Sequence, residues 1–218
     1  MMGHTHALSG LTAWAGLACA APTIAHVEPH WPAVTAGLLA TAGAALLPDL
    51  DHPQGNIART LGPITKALTE IVERVSGGHR HATHSILFAI AMPLLVWAGD
   101  TAGGPWFELP ALFFLYAFGL RALHLVPWSA TGVAAALTGL VGYLMLHDLA
   151  WLPWAVGAGI AAHLIGDTLT VEGCPLLWPH RRRYEFPIIR HTGNKLELRI
   201  FGPAFAFGAL VLLTYVRT

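Results

Sequence analysis

The sequence predicts an all-α, polytopic membrane helical bundle of six or seven spans. It forms a single domain over residues 1–218 and carries a His/Asp metal site at its cytoplasmic face. Three observations carry this prediction. Of 218 residues, 55% are hydrophobic and only 11% are charged, whereas an ordinary soluble domain carries about 25% charge. The apolar residues gather into seven stretches that approach the ~20 residues needed to cross a bilayer. Thirteen histidines sit in this apolar chain, several of them beside aspartates. The balance of twelve Lys+Arg against twelve Asp+Glu leaves no net field, so a nucleic-acid partner is excluded. Cys19 and Cys174 are the only cysteines, too few for a disulfide scaffold or a thiolate zinc ribbon.

The first stretch runs from Ala7 to Thr23. Small residues surround Ala18 to Ala21, but the start MMGHTHALSG has no Lys or Arg. It therefore lacks the basic region of a signal peptide, and the span is expected to be retained. The second, Trp31 to Leu47, ends in LLPDLDHP. A polar segment follows at 52–84. Within it Ile57, Leu61, Ile64, Leu68, Ile71, Val72 and Val75 recur at three- and four-residue spacing between charges, the pattern of an amphipathic helix with Pro63 in its first turn. Such a helix lies flat on the membrane face or packs over the span ends, as a plain linker or as a lid.

The third and fourth stretches, Ser85 to Gly99 and Phe107 to Leu120, contain Pro93 and Pro110, and re-entrant segments there would lower the span count. Ser129 to His147 and Trp151 to Thr168 follow. Segment 172–199 holds Pro175, Pro179, Pro187, interfacial Trp178 and Tyr184, and a Thr192-Gly193-Asn194 turn. It reads as a loop with one small hairpin. The last stretch is Ile200 to Val216.

Charge orients the bundle. The two long polar segments hold Arg59, Lys66, Arg74 and Arg80, and Arg181, Arg182, Arg183, Arg190, Lys195 and Arg199. The connections near Glu28, Asp100 to Glu108 and Asp148 carry acids and no base. The positive-inside rule puts both basic segments in the cytoplasm, and seven spans satisfy this with the N-terminus inside and the C-terminus outside. Arg181 to Arg183 then read first as an anchor at the lipid headgroups.

Imidazoles and carboxylates at a membrane edge are costly and are functional candidates by default. Four clusters qualify: His4 and His6; Asp49, Asp51 and His52; His79, Arg80, His81 and His84; and His163 with Asp167. All four fall on the cytoplasmic side of this topology. His163 and Asp167 share a helix face at i, i+4, while Pro48 suggests an extended or turn conformation in which Asp49 and Asp51 point alike. Each pattern has a plain structural explanation when taken alone. His26, His30, His124 and His147 are read as interfacial or hydrogen-bonded residues. Four clusters on one face argue for a shared cation, and the imidazole-carboxylate mix suits zinc first, then manganese or iron(II).

LPDLDHPQG, GHRHATHS, HLIGDTLTVEGCPLLWPHRRR and GNKLE, in that order, together resemble the YdjM-like family of bacterial inner-membrane proteins over His6 to about Glu197. The resemblance implies a bacterial inner-membrane location and metal-dependent hydrolase activity. By position it maps His6, Asp49 and Asp51, the His79, Arg80 and His84 motif, and the His163/Asp167 motif onto the family pattern. His81-Ala82 departs from it, which makes His81 peripheral. The expected ligands are His6, Asp49, Asp51, His84, His163 and Asp167 around one or two divalent ions. His79 is a general base or a further ligand, and Arg80, ahead of Arg181, offsets charge on substrate oxygens. Membrane lipids are the expected partners, and a lipid or lipid-linked ester or phosphoester the expected substrate. HExxH, GxSxG, P-loop and dinucleotide signatures are absent from the sequence. A divalent-metal transporter and a non-catalytic, metal-stabilised scaffold are the competing classes.

Overall fold

The centre of the molecule is a helix rich in small residues. Helix α2 (Trp31–Ala44) contains two glycines and five alanines in fourteen positions, and most of its C-terminal half is buried. Small residues let helix backbones approach closely where no water drives association. A Cβ on Gly43 would stand only 1.8 Å from the Leu115 carbonyl oxygen of α5, which measures how close those helices lie.

The computed structural model describes residues 1–24, 30–125, 130–145 and 149–216. His26, Glu28, His147 and Asp148 lie outside the described residues. The chain is all-helical: α1 (Gly3–Ile24), α2, α3 (Pro63–Ser76), α4 (Ile86–Gly103), α5 (Pro105–Ala122), α6 (Ala130–Met145), α7 (Leu152–Thr168) and α8 (Gly202–Leu213). Every predicted apolar stretch is a helix, and Pro93 and Pro110 sit inside α4 and α5 without ending them. Among the described residues, two stretches are long and apolar enough by themselves to cross a membrane, Trp31–Asp51 and Ile86–Gly103. Helix α2 packs on α1, α5 and α7, while α7 also meets α1 and α4, α8 lies along α1, and α6 lies along α5. Two aromatic side chains lock this core through their polar ends. Trp14 donates to the Val34 carbonyl at 2.8 Å and Tyr116 to the Ala36 carbonyl at 3.1 Å, so neither buries an unsatisfied group.

The predicted hairpin is not formed. Among the described residues 170–190 there are only isolated bridges, Thr170 with Ile189 and Cys174 with Tyr184. The Thr192-Gly193-Asn194 turn instead opens the last helical segment, because Asn194 Oδ1 accepts from the Glu197 N–H at 2.8 Å. A side-chain cap has replaced a strand return.

The amphipathic segment does fold as a helix, and Pro63 takes its first position. Its orientation is informative. Thr65, Thr69 and Ser76 are buried against the turns at Leu47–Asp51 and Ile57–Arg59, while Ile64, Leu68, Ile71 and Val75 are exposed. Gly77 closes α3 with φ +91°, and the Gly78 N–H bonds back to the Glu73 carbonyl at 2.8 Å. A side chain in that left-handed position costs roughly 1–2 kcal/mol. Gly77→Ala is therefore expected to lower stability by about that amount in thermal or denaturant unfolding of the detergent-solubilised protein. An unchanged midpoint would show that the turn does not need its present shape.

Candidate metal centre

At one end of the bundle the start of α1, the end of α2, the approach to α4 and the end of α7 meet. His6, Asp49, Asp51, His79, Arg80, His84, His163 and Asp167 lie there. Past α2 the chain tightens into a 3-10 turn, Leu47–Asp51, with Pro48 in its first turn where a missing N–H costs little. The segment takes the turn alternative of the expected extended or turn conformation, but Asp49 and Asp51 do not point alike, because three residues per turn send them to different sides. Asp49 Oδ1 faces His84 and His163, at 3.7 and 3.8 Å from their Nε2 atoms. Asp51 turns toward the 79–84 loop.

Asp51 is fully buried and surrounded by donors. Its Oδ1 lies 2.7 Å from His79 Nδ1, while Oδ2 accepts from the Arg80 N–H at 3.0 Å and from the Thr83 hydroxyl. Arg80 has φ +59°, a strained conformation for a non-glycine residue. Asp51 secures its backbone, and the guanidinium secures its side chain: Nη2 is 2.9 Å from Asp167 Oδ2 and Nη1 donates to Thr170 Oγ1 at 3.2 Å. Ser85 then caps α4 by accepting from the Phe88 N–H at 3.2 Å, which fixes His84 immediately before the helix.

His163 and Asp167 share a face of α7, as their spacing requires. Asp167 Oδ1 lies 2.7 Å from the Met1 nitrogen and 3.2 Å from His6 Nε2, and the His6 ring stacks on His163 at 3.7 Å. At the mouth His79 is 35% exposed and stacks on His52 at 4.6 Å. Burial works against protonating His79, but the hydrogen bond to Asp51 and the negative charges of Asp51 and Asp49 together outweigh it and raise its pKa above the ordinary value. His84 goes the other way, lowered chiefly by burial. His81 Nδ1 lies 3.1 Å from the His79 carbonyl oxygen. His30 caps α2.

Tautomers show what the donor set fits. His163 Nδ1 lies 2.6 Å from the Ala45 carbonyl, which can only accept. Neutral His163 therefore carries its proton on Nδ1 and presents a bare Nε2. Thr83 directs its proton to Asp51, leaving its oxygen to accept from His84 Nδ1 at 3.0 Å. The Nε2 of His84 is then bare too. These two nitrogens face each other at 3.3 Å, with Asp167 Oδ2 at 3.6 Å from each. A proton on one ring would join the two nitrogens, whereas a divalent cation would be met by both lone pairs and by the carboxylate oxygens beside them at once. The donor set fits a divalent cation. Two groups could hold one, Asp49, Asp51, His79 and His84, and His6, His163 and Asp167.

Glu197 was not singled out as a site residue in the sequence. It is fully buried and accepts from the backbone N–H groups of Met2 at 2.6 Å and Gly193 at 2.7 Å. Although burial opposes ionisation, these donors hold its pKa below the ordinary carboxylate value. By tying down the first turn of α1, Glu197 fixes the helix that carries His6. The signal was present: Asn194-x-x-Glu197 has the spacing of a capping box.

Residues 1–217 match the family described as YdjM inner membrane protein. The chain is 31% identical over 169 residues to "Inner membrane protein YdjM" of Escherichia coli (strain K12), covering 77% of this chain and 60% of that protein. The same figures hold for the protein of that name in Shigella flexneri. It is 26% identical over 199 residues to "Uncharacterized protein YvsG" of Bacillus subtilis (strain 168), covering 90% of this chain and 85% of that one. The match thus spans about 60% of the length of the two YdjM relatives. No solved structure matches.

Proposed function

Because the chain belongs to the YdjM inner membrane protein family, we propose that this membrane protein is a metal-dependent hydrolase acting on an ester or phosphoester of a lipid or lipid-linked substrate. The observation that carries the proposal is the pair of bare imidazole nitrogens 3.3 Å apart beside buried carboxylates. The ligand candidates are His6, Asp49, Asp51, His84, His163 and Asp167. Zinc suits the imidazole-carboxylate mix best, ahead of manganese and iron. A divalent ion held there supplies Lewis acidity, polarising a substrate oxygen and making water acidic near neutral pH.

The chain's own residues do the rest. His79 is the most solvent-accessible imidazole of the cluster, and Asp51 holds its Nδ1. Its Nε2 is thereby left as a proton acceptor at the mouth, with Asp51 stabilising the ring once charged. Arg80 positions Asp167, and its Nε–H has no partner among the described residues, leaving one donor for a substrate oxygen. Seven spans, with the N-terminus and this site toward the cytoplasm, agree with the basic segments flanking the cluster. The uncovered apolar row of α3, beside the turn that carries Asp49 and Asp51, supports a site at headgroup depth and a lipid substrate.

The test is hydrolysis by the full chain in mixed micelles, with phospholipid and soluble phosphodiester substrates, before and after chelation. Turnover should vanish with the metal and return with zinc, and His79→Gln should lower it by about 10²–10⁴-fold. A metal-loaded protein that cleaves neither ester nor phosphoester would sink the proposal.

A further inference from the structure

We propose that a single ion sits at the centre of the cluster on His84 Nε2, His163 Nε2, Asp167 Oδ2 and Asp49 Oδ1, with Asp51 and His6 as orienting residues outside it. The inference rests on the metal-dependent reading above and cuts across the two groups into which proximity divides the residues. Five of the six separations among the four atoms run from 3.3 to 3.8 Å. Zinc bound to nitrogen and oxygen at tetrahedral corners requires edges of roughly 3.3–3.4 Å. An octahedral ion with magnesium-like bond lengths would need neighbours at about 2.9 Å and opposed ligands at about 4.1 Å, and these separations match neither. The tautomers agree, since each imidazole anchors its Nδ1 side and aims Nε2 inward. Ligating histidines commonly donate their second N–H to a carboxylate or carbonyl in this way.

Asp51 is excluded by position, since its Oδ2 lies 3.4 Å from His84 Nδ1, on the side of the ring away from Nε2, and both its oxygens serve the 79–84 loop. Its Oδ1 is occupied by His79 and its Oδ2 by Arg80 and Thr83, so it orients His84 through Thr83 and restrains the loop. His6 is excluded by ring direction. It lies nearly parallel to His163, at 13° between planes, and its Nε2 meets the outer oxygen of Asp167. That contact leaves Oδ2 to face the centre, where it also pairs with Arg80 Nη2 at 2.9 Å. Asp49 differs from the other three ligands. It is 20% exposed, against 0–1% for them, and among the described residues no backbone N–H or hydroxyl donates to it. Asp49 is thus the solvent-side corner, where water or a substrate oxygen can displace a ligand without moving the buried three. A site with four protein ligands would otherwise be closed and structural.

The full chain is purified in detergent, loaded with Zn²⁺ or Co²⁺, and measured for ions per chain and for the cobalt absorption spectrum. The expected results are one ion, the intense visible bands of four-coordinate cobalt, and retention of the ion in Asp51→Asn and His6→Ala with affinity ~10–100-fold weaker. His84→Ala and His163→Ala should lose it. Two ions per wild-type chain, six-coordinate cobalt, or an Asp51→Asn variant as metal-free as His163→Ala would each overturn the assignment. The wild-type count and spectrum need no variant, so a substitution that fails to fold leaves the question decidable. A chain that binds one ion this way yet hydrolyses nothing removes the hydrolase proposal alone, while a chain that binds none removes both.

Discussion

Asp167→Ala is expected to destabilise the metal-free protein by about 3–5 kcal/mol, the usual cost of removing one partner from a buried ion pair. The Arg80 side chain is 7% exposed and Asp167 1%. Without the carboxylate, the guanidinium keeps Thr170, the Gly173 carbonyl at 3.4 Å and a 3.3 Å contact to the largely exposed Glu172, none of them a buried counter-charge. Asp167 also receives the Met1 nitrogen and His6, so α1 loses its tie to α7 in the same substitution. The measurement is denaturant unfolding in detergent, with Arg80→Met added on the Asp167→Ala background. Removing the stranded charge should restore part of the loss, because the penalty lies mainly in the unpaired cation. A loss under ~1 kcal/mol, or no recovery in the double variant, would show that the pair does not hold the loop to α7.

The helices were legible in the sequence because apolar runs bounded by charge and proline can fold in few other ways. The one-face convergence of the clusters was legible for a related reason. Ten of the twelve basic residues fall on two segments separated by four predicted spans, an even number that returns the chain to the same end, and three of the four clusters adjoin those segments. What the sequence could not supply was direction at the scale of one side chain. Asp49 and Asp51 look equivalent in LPDLDHP, yet the 3-10 turn makes one face the centre and the other a loop anchor. His84 reads as one more histidine until Thr83 and Asp51 set its tautomer. The Ala45 carbonyl, which sets that of His163, is invisible to any residue-type pattern. Arg80 looked like a cation for substrate, and the structure places its guanidinium chiefly on Asp167. The hairpin reading failed because a Gly-Asn turn signals a helix cap as readily as a strand return when Glu follows three residues later.

The same closeness that builds the core should make the centre sensitive to a single methyl group far from any ligand atom. A Cβ at Gly159 of α7 would lie 2.7 Å from Ala44 Cβ, 2.7 Å from the Ala45 nitrogen and 2.7 Å from the Thr41 carbonyl oxygen. Two of those three atoms are backbone and cannot swing aside, so Gly159→Ala must push α7 away from α2. Overpacking of this kind costs about 1–3 kcal/mol. The displacement falls one turn from His163, whose Nδ1 reaches the Ala45 carbonyl across that same contact at 2.6 Å. Lengthening this bond frees the ring that aims Nε2 inward, and loss of such an outer partner weakens metal binding by about 10–100-fold. Gly139→Ala in α6 is the matched control. A Cβ there meets nothing within 4 Å, and alanine favours a helix over glycine by up to about 1 kcal/mol, so stability should hold or rise with metal affinity unchanged. If both variants bound zinc as the parent does, the α2/α7 contact would not set the geometry of the centre. If Gly139→Ala weakened binding as much as Gly159→Ala, the effect would belong to the bundle at large rather than to the helix pair that carries Ala45 and His163.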